Sequence, residues 1–279
     1  MDMKNRICLI TGANSGIGRA AAVELARLGA TVVLVCRTPE KGQAAASEIR
    51  SESGSSSVDH LAADLSSQAS IKNMVAEYKK RYPALHVLLN NAGMAPAKRR
   101  LSADGIEMTF AVNHLAYFLL SRLLMESLRA GGSSRIVNVS SEAHRSGVLD
   151  FENLQAEKSF STWGVYSLSK LCNLLFTQEL SKRLQGSGVT ANALHPGFVS
   201  TAIFRETPAL LKMFVRGFAM DSRKGAETSV YLASSPEVGS VSGKYFIKKK
   251  EAQPADKALD ASAAQRLWEI SEKLAQAGS

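Results

Sequence analysis

Six short apolar runs alternate with segments of helical periodicity, and this alternation restricts the possible folds more than any other feature of the chain. The runs cover residues 6–11, 30–35, 58–62, 85–89, 135–139 and 189–194. Apolar residues recur at helical spacing between them, over 16–28, 39–51, 67–81, 106–128 and 163–184. Near-continuous aliphatic runs are typical of strands that are buried on both faces. The pattern therefore predicts a parallel sheet with helices on both faces and right-handed connections.

The length and composition of the chain fit one domain of this α/β class. The chain has 279 residues and no linker rich in proline or glycine that would divide it. Apolar residues make up 45% of the chain and charged residues 21%, which is typical of globular proteins and excludes a disordered class. We therefore predict a single, doubly wound domain of the Rossmann type over residues 1–279.

The net charge of +9 has several possible meanings. Such an excess of basic residues could attract nucleic acid, an anionic membrane or phosphorylated ligands. Alternatively, the basic side chains form an ordinary solvated surface. The dense basic runs at 98–100 and 248–250 lie in no aromatic-rich or zinc-finger pattern, so we expect no nucleic-acid partner. No apolar run is long enough to span a membrane, and the first residues lack signal-peptide features, so we expect a cytoplasmic protein.

The cysteines and histidines show no metal-binding pattern. Cys8, Cys36 and Cys172 fit neither a metal-ligand nor a CxxC spacing, so we expect buried, reduced thiols and no metal site.

A glycine-rich turn joins the first predicted strand to the first helix. Its sequence is Thr11-Gly12-Ala13-Asn14-Ser15-Gly16-Ile17-Gly18. Glycine permits positive φ angles and a close approach of the backbone to a ligand. The helix N-terminus that follows presents unpaired N–H groups and a positive dipole end, which suit a pyrophosphate. The turn predicts a dinucleotide site, with a purely structural tight turn as the alternative.

The end of the second strand indicates which dinucleotide to expect. NAD-binding folds carry an acidic residue about 20 positions beyond the glycines. This chain has Val35-Cys36-Arg37-Thr38 there, with a guanidinium in place of the carboxylate. Because a guanidinium can bind a 2′-phosphate through two hydrogen bonds, Arg37 favours NADP(H) over NAD(H). The alternative is that Arg37 pairs with a surface carboxylate.

Tyr166 and Lys170 lie four residues apart in the fifth predicted helix. Those positions share one helix face. A free phenol has a pKa of about 10. A neighbouring ammonium group is expected to lower that pKa, which would make Tyr166 a better proton donor at neutral pH. The spacing alone is common, and a surface pair is its simplest interpretation.

Together with other motifs, the pair resembles the pattern of the short-chain dehydrogenase/reductase family over nearly the whole chain. The matching residues are Thr11, Gly12, Gly16, Ile17, Gly18, Asn90, Asn91, Ala92, Gly93, Asn113, Ser141, Tyr166, Lys170, His195, Pro196 and Gly197. The segments at 135–144, 151–155 and 174–180 are most similar to the retinol dehydrogenase branch. The resemblance implies hydride transfer between a nicotinamide cofactor and a carbonyl carbon.

The resemblance assigns four catalytic residues. Tyr166 would donate a proton in reduction and accept one in oxidation. Lys170 would lower the pKa of Tyr166 and bind the nicotinamide ribose. Ser141, the second serine of its pair, would hydrogen-bond the substrate carbonyl. Asn113 would support a water that relays protons to Lys170.

The resemblance also assigns the cofactor contacts along the turn and the strand ends. They are Gly12, Ser15, Gly16, Ile17, Gly18, Arg37, Asp64, Leu65, Asn91, Ala92, Gly93, Tyr166, Lys170, Pro196, Gly197, Val199 and Thr201. Ser15 and Ile17 would face phosphate and ribose, and residues 64 and 65 would flank adenine. Residues 91 and 92 would line the cofactor at the fourth strand, and those at 196–201 would contact the nicotinamide end.

An apolar segment at about 200–222 follows the sixth strand, with Lys212 and Arg216 among its large apolar side chains. In the family this position forms a substrate lid, so the resemblance implies a helical lid and an apolar substrate. The alternatives are a helix packed on the core or on a partner, and a helix in weak contact with a membrane surface.

Two histidines lie beside the implied catalytic residues. His144 follows Ser141 closely and could line the substrate pocket. His195 precedes Pro196 at a strand end, where a structural or cofactor-edge role is favoured over catalysis.

The sequence therefore predicts an NADP(H)-dependent oxidoreductase that interconverts a small lipophilic aldehyde or ketone and its alcohol. One alternative is an NADP(H)-binding regulatory or scaffold protein without turnover. Another is an NAD-linked dehydrogenase of the hydroxysteroid type. The resemblance implies a homo-oligomer paired through the two long helices, at about 106–128 and 163–184.

Overall fold

The computed structural model describes residues 2–197 and 221–276, and an eight-stranded sheet lies at its centre. The strands are β1 (Ile7–Thr11), β2 (Thr31–Cys36), β3 (Val58–Ala62), β4 (Val87–Asn90), β5 (Ser134–Val139), β6 (Val189–His195), β7 (Tyr245–Ile247) and β8 (Lys250–Glu251). Their order is β3-β2-β1-β4-β5-β6-β7-β8. Neighbouring strands are parallel, except that β8 runs antiparallel to β7. The doubly wound parallel sheet is confirmed.

Helices cover both faces of the sheet. They are α1 (Gly16–Arg27), α2 (Pro39–Ser53), α3 (Gln68–Arg81), α4 (Met108–Phe110), α5 (Ala116–Leu123), α6 (Met125–Ala130), α7 (Thr162–Arg183), α8 (Ser222–Ser234) and α9 (Ala261–Gln276). Residues of α1, α2 and α8 share one hydrophobic cluster, and residues of α3, α5, α7 and α9 share the other. The sheet therefore separates two apolar cores.

Strand β2 shows why apolar and polar residues do not alternate along the strands of this sheet. Val33 and Val35 point into one core, whereas Val32, Leu34 and Cys36 point into the other. Successive side chains of a strand face opposite sides of the sheet. Since both sides are covered by helices, every position of β2 after Thr31 is buried.

The single long helix predicted at 106–128 is wrong in its detail. Glu107 caps α4, because its carboxylate accepts a hydrogen bond from the Phe110 amide at 2.8 Å. A π-helical turn follows at Ala111–Leu115, and a further break at Leu124 separates α5 from α6. Apolar periodicity does not reveal the extra residue of a π turn, which is often found at functional sites.

The C-terminal helix α9 packs across α5 and α7. Trp268 stacks on Phe176 of α7 and meets Phe118 of α5 edge to face, with ring centroids 5.9 and 4.9 Å apart. The Arg183 guanidinium lies over the same indole, 4.3 Å from its centroid. Helix α9 of the same chain thus packs on the two helices to which the resemblance assigns subunit pairing.

The three cysteines are buried and unpaired. Burial raises the pKa of Cys8 and of Cys172 to about 12, so these thiols stay protonated at neutral pH. Among the described residues, no helix combines the length and the apolar character that crossing a membrane requires. The lid predicted at about 200–222 lies outside the described residues except for its last two.

Candidate active site

The carboxyl ends of β1 and β4 meet where the strand order reverses, which is where open α/β sheets bind ligands. The Thr11 hydroxyl accepts hydrogen bonds from the backbone amides of Asn91 and Ala92, at 2.9 and 3.0 Å. The Asn91 side chain donates to the Thr11 carbonyl at 2.8 Å. These bonds hold the glycine turn and the loop after β4 together.

The glycine turn is too crowded for larger residues. A Cβ at Gly18 would lie 2.5 Å from both the Gly12 carbonyl oxygen and the Asn91 amide nitrogen. A Cβ at Gly12 would lie 2.9 Å from the Ala92 Cα, and its φ of +66° already favours glycine. Gly16 also has a positive φ, of +57°. Close packing at Gly12 and Gly18, and the positive φ at Gly12 and Gly16, explain why the turn needs glycine at these positions.

The first turn of α1 is suited to a phosphate group. Ser15 is its N-cap, but the serine side chain makes no capping hydrogen bond. The Ile17 side chain is buried in the core, so the backbone amide is the part of Ile17 that can serve a ligand. Uncapped amides at a helix N-terminus suit an anion, so these residues fit the pyrophosphate of a dinucleotide.

The ends of β2 and β3 hold the residues implied for the adenosine end of the cofactor. Arg37 directly follows β2, is exposed, and pairs with no carboxylate among the described residues. Asp64 is exposed, and its carboxylate accepts from the amide and hydroxyl of Ser66, at 3.0 and 2.8 Å. Leu65 is partly buried against the core. Arg37 is therefore available to a ligand, while Asp64 is engaged in shaping its own loop.

The loop after β4 leads directly to the implied catalytic residues. A Cβ at Gly93 would lie 3.5 Å from Asn113 Oδ1 and 3.7 Å from Lys170 Nζ. Nearby, the buried Tyr117 hydroxyl donates to the Ala92 carbonyl at 2.8 Å. The structure thus brings the sequence-predicted residues of β4 and those of the helices to one place.

Helix α7 carries Tyr166 and Lys170, and it begins at an N-cap, Ser161, whose hydroxyl accepts from the Gly164 amide at 2.9 Å. Both side chains are buried. Lys170 Nζ donates to the Val139 carbonyl at the end of β5, at 3.1 Å, and lies 5.5 Å from the Tyr166 ring centroid. The pair is therefore inside the protein, not a surface pair.

The pKa of Tyr166 shifts in the direction opposite to the sequence-based expectation. Burial raises it to about 12, and the hydrogen bond with the Ser141 side chain offsets only part of that effect. Burial also lowers the pKa of Lys170 to about 8, because a buried ammonium loses its hydration. In this structure desolvation outweighs any stabilisation of the phenolate by Lys170.

Asn113 lies in the π-helical turn and is fully buried. Its Oδ1 accepts from the Met94 amide at 2.8 Å, and its Nδ2 donates to the Met94 carbonyl and to Ser169 Oγ, both at 3.0 Å. Its side chain is therefore held between the loop after β4 and helix α7. The relay through a bound water stays a prediction.

Ser141 follows β5 and is partly exposed. Its hydroxyl oxygen accepts from the Ala143 amide at 3.2 Å and is hydrogen-bonded to Tyr166. Two hydroxyl groups therefore converge beside the Lys170 ammonium. Such a pair can bind one carbonyl oxygen and stabilise the negative charge that develops on it.

The two neighbouring histidines have structural partners. His195 Nδ1 lies 3.4 Å from the Glu142 amide, and burial lowers the pKa of His195 to about 4. His144 is fully buried, with both ring nitrogens hydrogen-bonded to backbone groups, so it does not line an open pocket.

The first described stretch of the chain ends at residue 197, among the contacts that the resemblance implies for the nicotinamide. Pro196 and Gly197 follow β6 directly, and Gly197 has a φ of +91°. Val199 and Thr201, the other two contacts implied there, lie outside the described residues.

Comparison with known proteins agrees with this geometry. A family model described as short chain dehydrogenase matches residues 6–210. Retinol dehydrogenase 14 of Homo sapiens is 44% identical, over 97% of this chain and 86% of its own length. Retinol dehydrogenase 13 of Homo sapiens is 42% identical, over 95% of this chain and 83% of its own length. This chain belongs to the short-chain dehydrogenase/reductase family. Within it, the chain falls in the retinol dehydrogenase-like branch.

Solved structures confirm the fold of this short-chain dehydrogenase. An uncharacterized protein from Mycobacterium Paratuberculosis superimposes with a TM-score of 0.80 at 33% identity, covering 99% of this chain and 95% of that one. A short chain dehydrogenase from Escherichia coli CFT073, complexed with NADPH, has a TM-score of 0.69 at 26% identity, covering 89% and 98%. Family membership makes the protein an oxidoreductase that interconverts alcohols and carbonyl compounds with a nicotinamide cofactor.

The sequence analysis assigned no role to several residues that support the dehydrogenase site. Thr11, Tyr117 and Ser169 hydrogen-bond to residues to which it did assign a role. Thr11 had a detectable signal, since a hydroxyl residue at the end of an apolar strand marks where polar contacts begin. Tyr117 and Ser169 had none, because each contributes through one contact with a residue distant in the chain.

Proposed function

We propose that this dehydrogenase uses NADP(H) to interconvert a lipophilic aldehyde or ketone and its alcohol, with Tyr166 as the proton donor in reduction. The observation that carries the proposal is the hydrogen-bonded pair of Ser141 and Tyr166 beside the buried Lys170. The pair lies next to the loop after β4, which is joined to the glycine turn.

In reduction, Tyr166 transfers its phenolic proton to the substrate oxygen as the carbonyl becomes an alkoxide. The Ser141 hydroxyl uses its one proton to donate a second hydrogen bond to that oxygen, while its own oxygen accepts from the Ala143 amide. The Lys170 ammonium stabilises the tyrosinate that forms. A bound nicotinamide supplies the hydride that the carbonyl carbon accepts.

The preference for NADP(H) rests on Arg37. It follows β2, where a carboxylate would select NAD(H), and no carboxylate of the described residues pairs with it. Within the described residues, its exposed guanidinium therefore does not form the surface ion pair that was the alternative. The related dehydrogenase from Escherichia coli CFT073 is complexed with NADPH, which supports the same assignment.

The proposal of a lipophilic substrate is based on the names of the relatives and on the surroundings of Tyr166. The relatives at 44% and 42% identity are retinol dehydrogenases, whose named substrate is an apolar alcohol. One helical turn before Tyr166, Trp163 is 51% exposed, and its ring centroid lies 6.1 Å from that of Tyr166. A substrate oxygen bound at Tyr166 leaves the rest of the molecule within reach of this indole.

The deciding experiment measures turnover and cofactor choice together. The purified protein is titrated with NADPH and NADH by fluorescence, and the tighter cofactor is then tested with retinal, a medium-chain aldehyde and a ketosteroid. Tighter binding of NADPH with reduction of the apolar carbonyls is the expected result. Tight NADPH binding without turnover would favour the scaffold protein, and preference for NADH would favour an NAD-linked dehydrogenase.

The remaining expectations about location and assembly stay predictions. Cell fractionation tests the cytoplasmic location, and vesicle sedimentation tests weak contact of the lid with a membrane surface. Sedimentation velocity tests the homo-oligomer. Because α9 covers α5 and α7, we expect any pairing to use another face of the molecule.

A further inference from the structure

The turn that follows Ser141 is tied to a distant part of the chain. We call residues 245–257, which include β7 and β8, the C-terminal brace. The Tyr245 hydroxyl donates to the Glu142 carboxylate at 2.9 Å, and Arg145 donates to the Gln253 carbonyl at 2.9 Å. Lys257 donates to the Arg145 carbonyl at 2.8 Å. The brace therefore contacts the turn near both of its ends.

His144 forms the buried centre of this contact. Its Nε2 accepts a hydrogen bond from the Ala255 amide at 3.0 Å. Because an amide can only donate, Nε2 carries no proton. The neutral ring therefore has its proton on Nδ1, which donates to the Ser141 carbonyl at 2.7 Å. The ring has no exposed surface, and it packs edge to face against Tyr245, with centroids 5.3 Å apart.

These bonds fix the backbone that carries the Ser141 hydroxyl. The Ser141 carbonyl accepts from both the His144 amide, at 3.0 Å, and His144 Nδ1. Both lone pairs of that oxygen are thus occupied, which sets the plane of the peptide bond between Ser141 and Glu142. The position of the Ser141 side chain beside Tyr166 follows from that plane.

We propose that His144 is a positioning residue for Ser141, joining the Ser141 carbonyl to the Ala255 amide of the C-terminal brace through its two ring nitrogens. It touches neither substrate nor cofactor. The proposal rests on the proposed function in one respect, since its kinetic effect requires that Ser141 bind a substrate oxygen. Its structural part can be measured without turnover.

Two substitutions test separately the two hydrogen bonds of His144, which together we call the His144 bridge. In His144→Asn the side-chain amide can still donate to the Ser141 carbonyl but does not reach Ala255. In His144→Gln the longer side chain can still accept from Ala255 but loses the short donor to Ser141. The control is His86→Gln, since His86 Nδ1 also accepts a backbone amide, that of Ile7 at 3.0 Å, but at the opposite end of the sheet.

Steady-state kinetics should separate the variants by kcat. We expect His144→Gln to lower kcat about tenfold, since small displacements of a catalytic group have large effects on rate. His144→Asn should stay within about threefold of wild type. The dissociation constant of NADPH and the KM should be unchanged in both variants. His86→Gln should keep the wild-type kcat. Equal kcat values for wild type and His144→Gln would overturn the proposal.

Hydrogen exchange gives a readout that does not depend on activity. Amides in residues 141–147, including Ala143, should exchange faster in His144→Gln than in wild type, and His86→Gln should leave them unchanged. Two-dimensional NMR of ¹⁵N-histidine protein should show His144 as the Nδ1-protonated neutral tautomer. The His144 bridge would be refuted if these amides exchanged in His144→Gln at the wild-type rate, or if the His144 ring were protonated on Nε2. If wild type reduces no carbonyl, the proposed function fails, and these two measurements still decide the role of His144.

Discussion

Asn113 and Ser169 are joined by a buried hydrogen bond of 3.0 Å from the asparagine amide to the serine hydroxyl. Ser169 in turn donates to the Tyr166 carbonyl at 2.7 Å. The bond therefore connects the π-helical turn to helix α7 between Tyr166 and Lys170. It holds Asn113 in place together with the backbone of Met94.

Ser169→Ala should therefore affect catalysis through Asn113. Loss of the two buried hydrogen bonds of the Ser169 hydroxyl should lower the free energy of unfolding by about 1–3 kcal/mol and leave one amide hydrogen of Asn113 unpaired. We expect kcat to fall several-fold while NADPH binding is kept, measured by steady-state assay and thermal denaturation. The control is Ser181→Ala on the same helix, where the hydroxyl donates only to the Gln178 carbonyl. An equal loss of kcat in both variants would show a general effect on α7.

Tyr166→Phe removes the proposed proton donor and little else. The ring stays buried, but the proton and the hydrogen bond to Ser141 are lost. We expect turnover to fall by at least about 100-fold, a typical contribution of general acid catalysis. NADPH binding by fluorescence titration should be unchanged. Tyr231→Phe, which removes a surface phenol bonded to Glu237, should behave as wild type. Substantial residual turnover would assign the proton transfer to another group.

Arg37→Asp should reverse the cofactor preference. The guanidinium is lost, and the new carboxylate repels a 2′-phosphate but can accept hydrogen bonds from a ribose 2′-hydroxyl. We expect the NADPH to NADH ratio of kcat/KM to fall by about 10- to 100-fold, the value of one or two bonds to a charged group. Lys41→Asp gives the same charge change on exposed α2 and should have a smaller effect. An unchanged ratio would place the 2′-phosphate elsewhere.

The pH dependence of reduction should follow Lys170. Its buried ammonium has a pKa of about 8, whereas burial keeps the Tyr166 phenol protonated up to about 12. As the pH rises through about 8, Lys170 loses its proton first, and the charge that stabilises a tyrosinate disappears. We expect kcat/KM for carbonyl reduction to decline above pH 8. In Lys170→Arg, which stays charged, that decline should be absent from the residual activity. A flat wild-type profile to pH 10 would contradict the assignment.

Trp268→Ala should destabilise the fold without altering the site directly. The indole is buried among Phe118, Phe176 and Arg183, and its removal leaves a cavity between α5, α7 and α9. We expect a loss of about 3–5 kcal/mol in the free energy of unfolding by urea denaturation. Trp268→Phe should recover part of that loss. A loss below about 1 kcal/mol would show that α9 is only loosely attached.

Much of the fold could be predicted, because local residue patterns encode the strands and the helices between them. The apolar run 30–35 anticipates β2 to within one residue at either end, since both faces of that strand are buried. Weaker local patterns were missed. β7 and β8 have three and two residues, too few for a periodic signal. The π turn at Ala111–Leu115 was also missed, because apolar periodicity does not reveal its extra residue.

The sequence by itself determined the sheet class, the glycine turn and the placement of Tyr166 and Lys170 on one helix face, because those depend on spacing along the chain. Only the tertiary structure decided the direction of the Tyr166 pKa shift, since that depends on burial by distant elements. It also decided that His144 binds Ala255, 111 residues away, and that α9 covers α5 and α7. Such contacts arise from packing between elements, and no local pattern of residues specifies them.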